Sequence, residues 1–468
     1  INTNDVFERK KVIESIQAIT DIFADQGYAF AKINPITNEN TESHIIDLEI
    51  NVSLNKKVYI NRITVSGNTR TQDEVIRREI GINEGGLYSN TELDESIKKI
   101  KRLGYFSDVK MEVSKLKDFN DKINLHFSVQ ETKTGAFSIG LSHSNSSGAT
   151  FNMGIKENNF LGTGNTLNAA FSNSKAVQEM SFYFSDPYFT EDGQSINYGV
   201  FSKSIDGSSL DVSSYQIDEN GFRLGYGIPL TEDTRIGADL RVSSRDITCG
   251  TTFASQEVIQ CTSDDKIEVQ ANLNWSNNTL DNFNYPTEGV KNKLSLDLAL
   301  PIAEFQYYKL DVSHKSYYPL GNDITWKANG RLGLAQGYGD KQLPFFKRYY
   351  GGGSSSVRGF DFNSLGATYA GTGTAKGGEL SVLASTAIIS PMKFIKDSKN
   401  MRISAFIDTG TIEEKASNIG FDEVRMSTGV AFSWLTPIGP LGVYAATPLI
   451  EKSGDKTKTI DFTLGTNF

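Results

Sequence analysis

The side chains that could support covalent or ionic chemistry are few. Cys249 and Cys261 flank the polar stretch TTFASQEVIQ and have eleven residues between them. Two thiols bracketing an exposed loop suggest a disulfide formed in an oxidising compartment. The four histidines are His44, His126, His143 and His314. Neither His143 nor His314 sits in a recognisable nucleophile motif, which argues against Ser/His/Asp hydrolysis. Tyr349 to Phe360 reads YYGGGSSSVRGF. Its glycines could cradle a phosphate, but no Gly-Lys-Ser/Thr follows and no strand–loop–helix frame surrounds it. Gly351 to Gly353 and Gly359 read instead as positions where a tight loop lets the backbone approach itself closely. No metal-ligand spacing and no cofactor motif is found.

The elements that hold these residues fall into two regions. Net charge is -9, which excludes the basic face of a nucleic-acid binder. Mean hydropathy is -0.34. No run approaches the roughly 18 apolar residues of a membrane helix. Polarity of this kind is compatible with a transmembrane barrel, which shows only alternate residues to lipid. The 28 Phe and 19 Tyr fit that class. No signal peptide precedes Ile1, so an exported chain would be a mature or truncated form.

About the first 130 residues carry helical periodicity. Ile13, Ile16, Ile19 and Phe23 fall near one face of a helix from about Asp5 to Asp25, stopped by Gly27. The arrangement recurs 77 positions later, where Leu93, Ile97, Ile100 and Leu103 precede Gly104. Between them lie a strand at Val58 to Val65 and a helix around Thr71 to Ile80. Each unit is a small α+β module of strand, two helices and two strands. The first lacks its opening strand and helix, so the chain is expected to begin inside a module.

From about Thr134 the period changes to two. Phe137, Ile139 and Leu141 alternate with Ser138, Gly140 and Ser142. Met401, Ile403, Ala405 and Ile407 alternate with Arg402, Ser404, Phe406 and Asp408. The chain closes on Ile460, Phe462, Leu464 and Phe468, against Asp461, Thr463, Gly465 and Asn467. Roughly sixteen such segments can be placed, an even number as single-chain barrels require. An aromatic C-terminal residue ending an alternating strand points the same way. The fold class expected is a transmembrane antiparallel β-barrel of about 16 strands preceded by small α+β modules.

The segment YYGGGSSSVRGF, ending in Val357-Arg358-Gly359-Phe360, resembles the long sixth loop of the BamA family, central subunits of the β-barrel assembly machinery. So do NNFLGTGN (158–165), SDPYFTEDG (185–193), YPTEG (285–289), FIDTG (406–410) and RMSTGVAFSWLTPIGPL (425–441). The front units look like POTRA modules, and GNTRTQDEVIRREIGINEG (67–85) is typical of the last one. The resemblance covers the whole chain. It implies the end of a fourth POTRA at 1–55, a complete fifth at 56–133, and a 16-stranded barrel at 134–468 with loop 6 at about 337–378.

It also implies roles. Arg358 would fold back into the lumen and pair with Asp408. The family's second acidic partner is Ala387 here, and Glu379 is a candidate substitute. Glu84 and Arg77 match positions that contact a BamD-like periplasmic lipoprotein. The first strand, about Ala136 to Ser144, carries Phe137, Ile139, Gly140 and Leu141. It would meet the last, about Thr457 to Phe468 with Leu464 and Phe468, in a weak lateral seam. Implied partners are unfolded outer-membrane clients, accessory lipoproteins, a periplasmic chaperone and outer-membrane lipid, with no cofactor. The expected site is the outer membrane, with the front modules in the periplasm. Two rivals share the architecture, TamA-like proteins and two-partner-secretion transporters. A rim hydrolase and a passive porin are the readings from other classes.

Overall fold

The computed structural model of the protein describes residues 5–41, 44–117, 119–144, 148–212, 214–250, 260–261, 266–282, 285–370, 372–392, 400–417, 420, 423–436 and 439–465. They form two compact units: Ile1–Gly135 with Glu157–Thr166, and Ala136–Lys156 with Leu167–Phe468.

The first unit begins with helix α1 (Arg9–Asp25) and the antiparallel pair β1 (Lys32–Asn40) and β2 (Ile45–Ser53). Strand β3 (Tyr59–Ser66), helices α2 (Asp73–Arg77) and α3 (Asn90–Arg102), β4 (Phe106–Lys115) and β5 (Lys122–Glu131) follow. The sheet order is β3-β5-β4, with β3 parallel to β5. On α1 the inward positions are Val12 and Ala24 with half-buried Ile16, Ile19 and Phe23, whereas Ile13 is 57% exposed. Ile13 lies one residue, hence about 100°, off the stripe that Val12, Ile16, Ile19 and Phe23 share. Leu93 and Ile100 of α3 join Ile60, Val75, Ile76, Ile123, Leu125 and Phe127 in the core.

Two carboxylates organise the loops of this unit. Asp25 accepts from Thr91 N at 2.9 Å, Thr91 Oγ1 at 2.7 Å and Ser89 Oγ at 2.8 Å. It therefore sits at the N-terminus of α3, where negative charge is favoured. Gly27 follows with φ +95°, and a Cβ there would lie 2.5 Å from Leu87 Cδ1. Glu131 accepts from Thr71 N at 2.7 Å, Arg70 N at 3.1 Å and Thr69 Oγ1 at 3.0 Å. The α2 helix is shorter than the Thr71 to Ile80 its sequence suggests: it starts at Asp73, and past Arg77 the chain tightens into turns in which Glu79 N donates to Ile76 O at 3.1 Å and Ile80 N to Arg77 O at 3.0 Å. Within the same unit, Asn159 Nδ2 donates to Thr71 Oγ1 at 2.8 Å.

The second unit is a closed barrel of sixteen strands, β6 (Gly135–Ser144) to β21 (Ile460–Leu464), each beside its chain neighbours, with β21 beside β6. Its hydrophobic surface is on the outside. Phe137, Ile139 and Leu141 of β6 are 63%, 61% and 73% exposed, and Ile460 and Phe462 of β21 are also exposed. Tyr318 stacks on Trp326 with ring centroids 5.4 Å apart, in keeping with an aromatic girdle. Cys249, at the end of the strand Thr234–Cys249, is disulfide-bonded to Cys261. The last strand is shorter than its sequence pattern. Thr457 bridges to Phe360 instead of entering the strand, Gly465 turns at φ +73°, and Phe468 lies outside the described residues.

Burial alone would raise the Glu131 carboxyl, but the bonds from Thr71, Thr69 and Arg70 hold it at about 2, below its ordinary 4.5. Its stabilising contribution is thus complete above pH 4.5 and lost as pH falls towards 2. Glu131→Gln is expected to destabilise the first unit by about 2 kcal/mol at pH 7. Acid titration followed by circular dichroism should show a smaller loss between pH 5 and 3 in the variant than in the parent. Parallel acid curves would refute the assignment.

Candidate functional site

The loop between β16 (Ile324–Gly337) and β17 (Leu380–Pro391) holds the site. Its tip is a closed backbone turn: Gly353 N donates to Phe360 O at 3.0 Å, and Ser356 N to Gly353 O at 3.2 Å. Val357 and Phe360 are fully buried and pack with Leu365 and Ile412. Gly359 has φ +90°, and a Cβ there would press at 3.3 Å on both Ser427 Cβ and Ala446 Cβ. A side chain at 359 would therefore be strained by its backbone conformation and would crowd both neighbours.

This turn delivers Arg358 to β18 (Met401–Glu413). Arg358 Nε lies 2.7 Å from Asp408 Oδ2 and Nη2 lies 2.8 Å from Oδ1, a two-pronged pair. The Arg358 backbone N adds a third bond to Oδ2 at 3.1 Å. The guanidinium also stacks 3.3 Å from the Phe406 ring centroid. Asp408 is fully buried. Its remaining acceptor capacity takes Ser385 Oγ at 2.7 Å, and Ser385 is its cross-strand partner on β17. A buried charge pair is tolerated when its other donors and acceptors are met, as they are here.

Glu379 does not join this pair. It binds Lys415 Nζ at 2.6 Å and the backbone N of Ala416, because it precedes β17 and so lies beside the end of β18. Ala387 stands two residues beyond Ser385 and opposite Phe406, with no polar role. Ser385 is the member that sequence reasoning missed. The inward face of β17 reads Ser381, Leu383, Ser385, Ala387 and Ile389, too mixed a pattern to single it out.

The same loop is anchored at its start by charges that no motif revealed. Lys347 Nζ lies 3.2 Å from Glu268 Oε1 on β13 (Lys266–Asn278). Glu268 also pairs with Arg245 and accepts from Tyr307 OH at 3.0 Å. Arg245 and Arg241 share Glu219, at 2.8 Å and 2.6 Å. Beyond the tip, Asp361 N donates to Lys456 O at 2.8 Å and Lys458 N to Gly359 O at 3.0 Å. The tip thereby forms a short ladder with the segment that leads into β21.

At the seam, the described register pairs β21 with β6 at Thr463↔Ser144 and Leu464↔His143. His143 stacks on Phe462 at 5.4 Å, so this histidine closes a sheet. Phe137, Ile139 and Leu141 face outward, and Gly140 lies on the opposite face. Of the other histidines, His126 lies between Thr64 and Ser66, at 2.8 and 3.0 Å, and His314 bonds Asn292. In the first unit, Glu84 and Arg77 both hold the backbone of Ile63, Glu84 accepting from its N at 2.8 Å and Arg77 donating to its O at 3.0 Å.

A closed antiparallel barrel with an apolar exterior, a charged lumen and an inward loop, carried with small α+β modules, defines a transmembrane β-barrel of the POTRA-bearing class. Residues 1–53 and 58–132 match the POTRA family, described as surface antigen variable number repeat, and residues 159–468 match the Omp85 superfamily domain. The chain belongs to the Omp85 superfamily and is an outer-membrane protein with periplasmic POTRA modules. It is 29% identical over 99% of its length to the outer membrane protein assembly factor BamA of Neisseria meningitidis, of which it covers 63%. It is 26% identical over 96% of its length to BamA of Nitratidesulfovibrio vulgaris, of which it covers 56%. The chain thus spans about three fifths of these relatives. The crystal structure of BamA from Haemophilus ducreyi lacking POTRA domains 1-3 superposes with a TM-score of 0.85. That likeness covers all of this chain and 95% of the other, at 26% identity. CdiB from Acinetobacter baumannii shares the fold at 13% identity and a TM-score of 0.58, over 98% and 82% of the two chains.

Arg358→Ala would leave the Asp408 carboxylate buried without its cation, a loss of about 3–5 kcal/mol. The temperature at which the barrel loses its fast electrophoretic mobility should fall accordingly. The double variant Arg358→Ala/Asp408→Ala should recover part of that loss, since the stranded charge is gone. Additive losses would show that the two side chains are not coupled.

Proposed function

We propose that this chain folds β-barrel proteins and inserts them into the bacterial outer membrane through a weak lateral seam between β6 and β21, without a nucleotide. The observation that carries the reading is the connectivity of that seam: every other junction of the barrel joins strands that follow one another in the chain, whereas β6 and β21 have no turn between them to fix their register. The assembly-factor relatives support the same function.

In hydrocarbon each unpaired backbone N–H or C=O costs several kcal/mol, so a client cannot enter as an open sheet edge. A parted seam would offer β6 as a template for β-augmentation by a client strand. Each strand added then satisfies the backbone groups of the one before, and the client's own pairing supplies the free energy. The segment bonded to the loop tip leads directly into β21. On this proposal, Arg358 and Asp408 hold the last strand in place from inside the lumen.

The proposal includes the modules. Residues 1–55 are taken as the end of a fourth POTRA, 56–133 as a fifth, and 134–468 as the barrel, with loop 6 at about 337–378. Unfolded outer-membrane clients, a periplasmic chaperone, outer-membrane lipid and a BamD-like lipoprotein are the proposed partners. Glu84 and Arg77 are proposed to meet the lipoprotein; both are exposed although each also braces Ile63.

The test is a reversible lock. His143→Cys and Leu464→Cys are register partners and are combined in a Cys249→Ser/Cys261→Ser background. The oxidised protein in liposomes is expected to lose at least tenfold in the rate of inserting a urea-unfolded β-barrel client, with recovery on reduction. Insertion at the parental rate with the seam fully cross-linked would sink the proposal. A TamA-like or two-partner-secretion function would show instead as export of a soluble passenger without client insertion.

A further inference from the structure

Five cations project from three adjacent strands into the lumen: Lys291 and Lys293 on β14 (Gly289–Ala299), Lys315 on β15 (Tyr307–Gly321), and Lys327 and Arg331 on β16. Their inward direction follows from strand parity, because Leu294, Val312, Trp326 and Leu332 occupy the exposed outer face. The register places Lys291 directly opposite Lys315. Lys315 also faces Asn329, Lys327 faces Tyr317, and Arg331 faces Ser313. Lys293 too faces Ser313. No carboxylate occupies any of these cross-strand positions.

The charges that act on Lys315 are those of Arg331, Lys291 and Lys293. Lys327 feels Lys315, Arg358 and Arg331, and the one acid near it, Asp408, is already committed to Arg358 and Ser385. Among the described residues none of the five forms an ion pair. The one hydrogen bond from the group runs from Arg331 Nη1 to Ser355 O of the inward loop, at 3.1 Å. Several other lumen cations do have an acid: Arg223 has Asp239, Arg241 has Glu219, Lys347 has Glu268. Like charges directly opposite in a sheet are destabilising, and the half-buried ammonium groups of Lys291, Lys315 and Lys327 have given up hydration. An uncompensated patch in a chain of net charge -9 is what a bound anion would relieve.

We propose that this patch is a lumenal binding site for a phosphate group. Four of its five members are lysines, compact point charges that can surround a tetrahedral anion. A planar carboxylate would be better met by the fork of arginine. A lumen cavity of about 680 Å³ borders the patch at Lys293, its remaining lining including Glu179, Asp239 and Asp297. The phosphate is that of a free polyphosphate or of a phospholipid headgroup. Bound there, it links three strands of the wall beside the Arg331 contact to the loop.

The probe is inorganic tripolyphosphate, titrated calorimetrically into the full chain in a non-ionic detergent at constant ionic strength. Saturable binding is expected, with a rise in the unfolding temperature. Lys291→Gln/Lys315→Gln/Lys327→Gln should bind at least tenfold more weakly while melting, without the probe, no lower than the parent. Should the triple variant fail to fold, Lys315→Gln alone is expected to lose at least threefold in affinity. Displacement of the probe by a monomeric short-chain phosphatidylglycerol would assign the site to a headgroup, and resistance to it would assign a free polyphosphate. Unchanged affinity in the variants overturns the site. So does an equal thermal shift with sodium chloride, meaning an adventitious ion only. Tighter binding of a glutamate-rich peptide than of tripolyphosphate overturns the phosphate assignment.

Discussion

A sheet that crosses hydrocarbon has no water with which to satisfy an unpaired edge, so its backbone must close on itself. That requirement governs the second unit of this protein. Fifteen of its strand junctions join chain neighbours, and one must join the two ends, β21 to β6. The neighbour junctions are covalently connected, and where the connection is a tight turn, as between β15 and β16, the turn and the burial pattern set the register. The terminal junction has no turn to set it. Its described pairing includes Thr463↔Ser144 and Leu464↔His143, with the His143–Phe462 stack beside it. Closure there rests on strand pairing and side-chain contact alone.

The same constraint inverts the usual distribution of polarity. Apolar side chains face out, and the charged ones must find partners in the lumen. The inward loop is held by ion pairs near its start, tip and end. Lys347 meets Glu268 at its start, Arg358 meets Asp408 at its tip, and Glu379 meets Lys415 at its end. The Lys415 side of the third pair is open to solvent, but the first two pairs are buried; such pairs add little net stability, yet breaking one strands a charge, so they select one conformation strongly. Each pair draws on a different part of the wall, and together they exclude other placements of a long, glycine-rich segment. The lysine patch of β14 to β16 stands out because it departs from this rule.

The first unit follows the rules of a water-soluble module. Its helices bury one stripe, and its loops are ordered by carboxylates that accept backbone donors. Asp25 at the N-terminus of α3 and Glu131 under residues 69–71 do the work that longer helices would otherwise do. Glu84 and Arg77, bonded to the N and the O of Ile63, together brace the edge of β3.

The amino-acid sequence by itself determined the class of structure. Period-two alternation at Phe137 to Leu141 and Met401 to Asp408 requires strands with one apolar face, and the helical stripe of α1 requires a packed module. Both periods are local, which is why they are legible. Even there, the choice between Ile13 and Val12 as the buried position depended on what α1 packs against. The YYGGGSSSVRGF segment and Asp408 could be named, but 50 positions separate Arg358 from Asp408, and only folding brings them to 2.7 Å. Ser385 replaces an expected acid because register, not sequence distance, puts it opposite Asp408. Glu379 fails for the same reason, lying past the end of the strand. The Glu268 network, the bonds from the loop tip to Lys456 and Lys458, and the opposition of Lys291 to Lys315 all depend on strand order and stagger. Those quantities arise when the barrel closes, and no local run of residues encodes them.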